Sequence, residues 1–263
     1  MRNIILIFLP HAMPFKKYTI PYELDDPRTT LAHREIILTK PFLKKIYSDW
    51  YQVFINASKK VKQGKFLEIG SGGGFLKEVF PDVITSDILP LPNVDMVFSA
   101  EQMPFNENEL GAVFMLNVFH HIPNPHLFLL EAQRCLIKGG KVVMVEPANT
   151  AFGRFIYKNF HHEPFNREGA REISPGNPLS NSNQALPHIY FERDIELFKK
   201  NYPHLAIKKI SYHSPFTYAF SGGVSRSSLL PFFMYNFVKG FEWILSPFSK
   251  QLGLFCTVEI EKI

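Results

Sequence analysis

Cysteine is scarce in this chain. Cys135 and Cys256 are the two among 263 residues, too few for a disulfide framework or a thiolate metal cluster, so a reducing, intracellular compartment is the simpler expectation. Long apolar runs are lacking as well. The opening stretch at residues 4–9, between Arg2 and Pro10, falls well short of the ~20 residues of a spanning helix. No convincing small-residue cleavage site follows it, so neither secretion nor a transmembrane span is expected, and Met13 offers a second start. There is no excess of one charge either, since 29 Lys+Arg stand against 24 Asp+Glu. The paired lysines (Lys44-Lys45, Lys59-Lys60, Lys199-Lys200, Lys208-Lys209) are scattered and lack the aromatic interleaving of a nucleic-acid channel, so no nucleic-acid partner is expected. No internal repeat is present. With 46% hydrophobic and 20% charged residues, a disordered chain and a coiled coil are both excluded.

What is present begins with two helices within residues 26–63. Asp26-Pro27 offers a cap followed by proline in the first turn, Pro41 opens the second run, and Gln63-Gly64 stops it. From Lys65 the pattern changes to short apolar strands, expected at 66–69, 83–85, 94–98, 111–116 and 141–145. A helix is expected at 125–137, with Leu127, Leu130 and Cys135 toward the core and Gly139-Gly140 ending it. Alternating strands and helices predict a mostly parallel sheet with helices on its faces. The link after the second strand, residues 88–93 with two prolines, is too short for a helical crossover and must be extended. Residues 148–190 are rich in Asn, Pro, Gly, Ser and His and read as a long lid. A helix at 191–202 and strands at 205–212 and 255–260 follow. The resulting division is an N-terminal helical segment, 1–64, and a domain over 65–263 with a lid insertion at 148–190 and an aromatic-rich insertion at 218–253.

The first strand runs directly into Gly70-Ser71-Gly72-Gly73-Gly74. A strand, a glycine turn and a helix start present free backbone N–H groups to a ligand with no Cβ in the way. Gly70 and Gly72 fit the first two positions of the dinucleotide fingerprint, but Phe75 stands at the third. Glu68, two residues before the first glycine, would repel a pyrophosphate and suits a cationic ligand amine, directly or through water.

Several ordered segments resemble the class I S-adenosylmethionine-dependent methyltransferases, in particular the methyltransferase type 11 group, over about residues 65–147. Leu67-Glu68-Ile69-Gly70-Ser71-Gly72-Gly73-Gly74 is similar to the family's first motif. Asp87 stands at the position of the acid that takes the ribose hydroxyls. Ser99-Ala100-Glu101-Gln102-Met103-Pro104-Phe105 resembles the stretch beside the adenine, with Ser99 in place of the usual Asp. Asn117-Val118-Phe119-His120-His121-Ile122 resembles the segment facing the transferable methyl, and Leu136-Ile137-Lys138-Gly139-Gly140 the turn before strand five. The resemblance implies an α/β, Rossmann-like doubly wound, mostly parallel seven-stranded sheet with an antiparallel C-terminal strand. It also implies S-adenosyl-L-methionine as cofactor, held by Glu68, Gly70, Ser71, Gly72, Gly74, Asp87, Ala100, Glu101 and Asn117.

Transfer to an oxygen acceptor needs proton removal, for which histidine is suited. His121, and His162 in the segment His161-His162-Glu163, are the catalytic candidates. No metal is expected. The lid and the aromatic block (Phe232, Phe233, Tyr235, Phe237, Phe241, Trp243, Phe248) suggest a small, partly apolar acceptor related to lipid or glycan. That block is expected to cap an acceptor pocket or pack on the sheet, with an interfacial amphipathic element as the alternative. The expected location is cytoplasmic, with a peripheral position on the inner face of the membrane as the variant. A nucleotide-dependent oxidoreductase and a non-catalytic binding protein on the same fold are the rival readings.

Overall fold

The computed structural model describes residues 16–174, 176–177 and 179–263. The opening apolar stretch and Met13 lie outside the described residues. Helix α1, Pro27–Thr39, starts where the Asp26 carboxylate accepts from the Arg28 N–H and proline fills the first turn. Helix α2, Pro41–Ser58, buries Phe42, Leu43, Ile46, Trp50, Phe54 and Ala57, a stripe at three- and four-residue spacing. Between the two helices Lys40 is buried, and its ammonium donates to the carbonyls of Ser221 (2.7 Å), Gly223 (2.5 Å) and Arg226 (2.6 Å). All three donors are thus matched by carbonyl acceptors, of which that of Ser221 also accepts from the Ser228 hydroxyl at 3.2 Å. Lys40→Met is expected to destabilise the protein by roughly 2–4 kcal/mol, because buried carbonyls lose a charged donor. A urea midpoint equal to that of the parent would contradict this.

Strands β1 (Lys65–Ile69), β2 (Val83–Asp87), β3 (Met96–Val97), β4 (Leu110–Leu116), β5 (Leu136–Pro147), β6 (Leu205–His213) and β7 (Phe255–Lys262) form one sheet. Their order is β3-β2-β1-β4-β5-β7-β6. β7 runs antiparallel to both β5 and β6, while the pairs among β1 to β5 are parallel. This is the doubly wound sheet implied by the sequence. The order reverses between β1 and β4, which places a crevice at the carboxyl ends of those strands. Alternation along β4 divides the core. Leu110, Val113 and Met115 join one cluster, whereas Ala112 and Phe114 join the other. On the second face Phe54 of α2 stacks on Phe114, ring centroids 5.1 Å apart.

Short helix α3, Leu76–Val79, follows the glycine turn, and α4, Pro125–Cys135, precedes β5. The buried residues of α4 include Phe128, Leu129, Ala132 and Cys135, while Leu127 and Leu130 are exposed. The expected stripe was therefore out of phase: 128, 129, 132 and 135 follow an i, i+1, i+4, i+7 pattern, and 127 and 130 fall beside it. Gly139-Gly140 do not end this helix. The chain turns extended at Leu136 and both glycines lie within β5. The region expected to be a lid contains helix α5, Ala151–Phe160, and the single turn α6, Leu186–His188. A π-helical turn, Ile189–Arg193, then leads to α7, Ile195–Asn201. Three further helices follow, α8 (Thr217–Ser221), α9 (Tyr235–Ile244) and α10 (Ser249–Leu252). In the aromatic block only Tyr235 is buried; Phe232, Phe233, Phe237, Phe241, Trp243 and Phe248 are exposed. Tyr235 joins the core cluster on the second face of the sheet, while the rest of the block is turned outward. No helix among the described residues is long and apolar enough to cross a membrane.

Candidate active site

β1 ends at Ile69, and the backbone turns through Gly70 at φ 71°. A Cβ there would meet Val118 Cγ2 at 2.3 Å, so glycine lets β4's outgoing segment pack against the turn. Gly72 is needed for a different reason. Its N–H donates to Asp87 Oδ2 at 3.0 Å, and a Cβ would stand 2.8 Å from that oxygen and 2.4 Å from Leu91 Cδ1. The other Asp87 oxygen accepts from the Leu89 N–H at 2.9 Å. The link from β2 to β3 carries no helix. It crosses the glycine turn instead, where Leu91 is buried and the Asn93 amide donates to the Gly72 carbonyl at 3.1 Å. Asp87 thus pins the loop to the crossover, and its remaining lone pairs are available to ligand hydroxyls. Burial raises its carboxyl, with backbone N–H groups opposing that shift.

Glu68 is buried, and its Oε2 has no hydrogen-bond partner. Burial lifts this carboxyl to about 7, with Ser71 opposing and the Asp87 charge adding to the rise. A hollow of about 20 Å³ beside it is lined by Glu68, Ser71, Gly74, Phe75 and Asn93 among others, room for about one water. Asn117 adopts φ 56° at the end of β4, a conformation in which Asn is among the tolerated side chains. Its buried Oδ1 is also without a partner. Two orphaned acceptors and a glycine cradle that a Cβ would fill match a ligand carrying a cationic amine and hydroxyls. These residues therefore fit S-adenosylmethionine. Ala100 is buried, whereas Glu101 already accepts from the Asn124 N–H at 2.6 Å and so secures the approach to α4.

Beyond Asn117, the β4–α4 loop carries His120 and His121. Glu146, fully buried near the end of β5, accepts from the Val118 and Phe119 N–H groups, both at 2.8 Å. Its other oxygen meets His120 Nδ1 at 2.5 Å. On the opposite side His120 Nε2 lies 3.3 Å from Glu163 Oε2. Burial by itself would lower the His120 imidazole, but the two carboxylates raise it to about 10. Burial would raise Glu163, but His120 together with His121 and His161 lowers it to about 2. The result is an imidazolium between two carboxylates.

His121 behaves in the opposite way. Burial, then the neighbouring His120 charge, pushes it down to about 4, so it is neutral at ordinary pH. Its Nδ1 faces the Asn181 carbonyl at 3.3 Å, and a carbonyl only accepts, which puts the proton on Nδ1 and leaves a lone pair on Nε2. That Nε2 lies 3.8 Å from Glu163 Oε1. His162 Nε2 is also 3.8 Å from that oxygen, but its side chain is 61% exposed. The structure thus brings both catalytic candidates to one carboxylate, with His121 inside and His162 at the rim. Donor atoms of His120, His121 and Glu163 lie within 4.8 Å of one another, a spacing that could also hold a metal ion. Sequence reasoning missed Glu146. Its one local mark is a carboxylate closing the apolar run 142–145.

The His120 pair has a measurable linkage. A histidine raised from about 6.5 to about 10 contributes stability that is full below pH 6.5 and lost as pH rises through 10. The stability gap between the parent and His120→Gln is therefore expected to narrow steadily from pH 6.5 to 10. Chemical denaturation across that range checks it, and a gap independent of pH would contradict the charge assignment.

A family model described as a methyltransferase domain matches residues 67–144. The chain is 25% identical over 173 residues to a tRNA U34 carboxymethyltransferase of Pseudomonas syringae pv. tomato, covering 52% of this chain and 54% of that protein. It is 27% identical over 118 residues to the same-named protein of Pseudomonas putida, 37% of each chain. The chain thus spans about half or less of the length of the curated relatives it matches. Among solved structures, a chain of the complex containing the Haloferax volcanii Trm112 methyltransferase activator superposes with a TM-score of 0.51 at 11% identity, covering 91% of this chain and 97% of that one. Geranyl diphosphate methyltransferase in complex with S-adenosylmethionine gives 0.50 at 12% identity and 93% of each chain. Both show the shared fold. The glycine cradle and the sheet order thus agree with the match of residues 67–144 to a methyltransferase domain, on a fold shared with S-adenosylmethionine-dependent methyltransferases.

Proposed function

We propose that the protein transfers a methyl group from S-adenosylmethionine to a hydroxyl of a small, lipid-like acceptor at a membrane surface, with His121 as the base. The observation that carries this reading is the placement of His121 beyond the carboxyl end of β4, with Nδ1 facing the Asn181 carbonyl at 3.3 Å and Nε2 3.8 Å from Glu163 Oε1. When bound, the cofactor supplies a methyl already activated on a sulfonium. Glu68 and Asn117 would hold its polar groups, Gly70, Ser71, Gly72 and Gly74 would cradle it, Asp87 would take hydroxyls, and Ala100 and Glu101 would flank its base. His121 Nε2 receives the acceptor's proton as the new carbon–oxygen bond forms. Glu163, whose Oε1 lies 3.8 Å from that nitrogen, would stabilise the imidazolium that results. His120 and Glu146 keep Glu163 ionised and in place. Alignment of the two reactants supplies most of the acceleration, on the order of 7–11 kcal/mol, and the base adds roughly 10²–10⁴.

The test is transfer of radiolabelled methyl to acceptors in a total lipid extract and, in parallel, to bulk tRNA, the class named in the curated relatives. Label in a lipid fraction, reduced in His121→Asn, is the expected result. Label in tRNA alone would replace the acceptor class and leave the methyl-transfer reading standing. No label in either, with the cofactor bound, would favour a binding protein on this fold.

A further inference from the structure

The surface formed by α5, α9 and the turn at residues 246–250 has an inverted polarity. Along α9 the acidic residue points inward: Glu242 is buried and accepts from the Phe216 N–H (2.9 Å) and the Thr217 N–H (2.7 Å), capping α8. The large apolar side chains point outward. Phe233 is 81% exposed, Phe237 70% and Trp243 77%, and Ile244 and Phe248 are exposed beside them. On α5 Tyr157 faces the core while Phe155 and Phe160 are exposed, their rings 6.0 Å apart. The two helices are joined beneath this surface, since Phe216 contacts Phe152 and Phe241 at centroid distances of 5.7 Å each. With each large aromatic offering ~150–250 Å², the exposed apolar area is on the order of 700 Å², beyond the few hundred usual for a monomer.

Charge selects the occupant. Residues 148–162 and 213–254 contain Arg154, Lys158, Arg226, Lys239 and Lys250 against the single acid Glu242, which is buried and pairs with Lys239 at 3.2 Å, leaving the other four cations in excess. A second copy placed symmetrically on this face would set like charges against one another. A bilayer with acidic headgroups instead matches both features, an apolar patch and a basic rim. The patch also lies next to the candidate site, because α5 leaves the end of β5 and its exposed Phe160 runs straight into His161, His162 and Glu163.

We propose that this face docks on an anionic phospholipid bilayer, with Phe233, Phe237, Trp243 and Ile244 entering the acyl boundary and Lys158 and Lys250 meeting the headgroups. Docking would bring the rim of the His121–Glu163 site to the lipid surface. It requires neither cofactor nor turnover, so it stands or falls separately from methyl transfer.

The chain carries its own reporter. Of its two tryptophans, Trp50 is 3% exposed and Trp243 is on the patch, so a change in emission on adding vesicles reads Trp243. The full chain is mixed with vesicles of phosphatidylcholine containing about 30% phosphatidylglycerol, or of phosphatidylcholine alone, and followed by cosedimentation and fluorescence. Expected are pelleting and a blue-shifted emission with the anionic vesicles, and about tenfold weaker binding to the neutral ones. Phe233→Ser/Phe237→Ser, which keeps Trp243 and touches no buried contact, is expected to melt like the parent and to lose about tenfold in binding. Three results would overturn the proposal: no binding to either vesicle, equal binding to both, or a blue shift that appears with protein concentration alone as the chain dimerises.

Discussion

Gly72→Ala is expected to weaken S-adenosylmethionine binding by about 10²–10³, while Gly73→Ala, one residue on, leaves it nearly unchanged. The contrast follows from what each new methyl would meet. At Gly72 the Cβ would lie 2.8 Å from Asp87 Oδ2, an approach that forces the carboxylate away from the Gly72 N–H it now accepts from. Leaving that N–H unpaired costs about 1–3 kcal/mol, and a misaligned carboxylate loses charged hydrogen bonds to the ligand worth about 1.5–3 kcal/mol each. Together these reach roughly 3–4 kcal/mol, or two to three decades in Kd. At Gly73 the nearest atom is Ile37 Cδ1 at 3.9 Å, an ordinary contact. Calorimetric titration of the two variants decides it. Equal losses at both positions would mean that the loop responds to any added bulk, and that Asp87 is not its anchor.

The second large effect concerns the base. His121→Asn is expected to lower kcat by about 10²–10⁴, with little change in cofactor affinity. His162→Ala, at the exposed rim, is expected to cost only a few-fold. The pH profile provides the sharper signature. A base held at about 4 is unprotonated above that value, so turnover should stay level down to about pH 5 and then fall as protons occupy Nε2. Histidine at its ordinary value would place that limb near 6.5. Because the His120 charge is one of the causes holding His121 down, His120→Gln should move the acid limb upward. A purely structural role for His120 would reduce activity without moving the limb. A parent profile that breaks near 6.5 would contradict the assignment of His121.

The legible parts of this molecule are those in which neighbours in sequence are also neighbours in space. The cradle from Glu68 to Gly74 is one strand, one turn and the start of one helix, so its composition states its geometry. Asp87 could be placed because it closes the next strand, and the missing helix after it follows from counting residues in the link. The His120–Glu163 contact, in contrast, spans 43 positions, and Glu146 approaches from a different strand; no local period marks either acid. Helix α5 was hidden although Phe152, Phe155, Ile156 and Phe160 recur at i, i+3, i+4 and i+8, because the Asn, Pro, Gly, Ser and His that follow it led the whole stretch to be read as a loop. The aromatic block misled for a different reason. Its side chains were assigned to a pocket or core because burial is the usual fate of phenylalanine, but on α9 the acid is inside and every ring except Tyr235 is outside. The out-of-phase stripe on α4 is a smaller instance, since Leu127 and Leu130 are as apolar as Phe128 and Leu129 and only the packing against the sheet separates them.

The most direct measurement is thermal unfolding of the purified protein with S-adenosylmethionine, S-adenosylhomocysteine and NAD(H) in parallel. A ligand at a hundred times its Kd adds about 2.7 kcal/mol, a clear rise in Tm. The predicted result is stabilisation by the two adenosyl ligands and none by NAD(H), with the effect much reduced in Gly72→Ala and retained in Gly73→Ala. Stabilisation by NAD(H) alone, or by none of the three, would contradict the reading of the glycine cradle as a methyl-donor site.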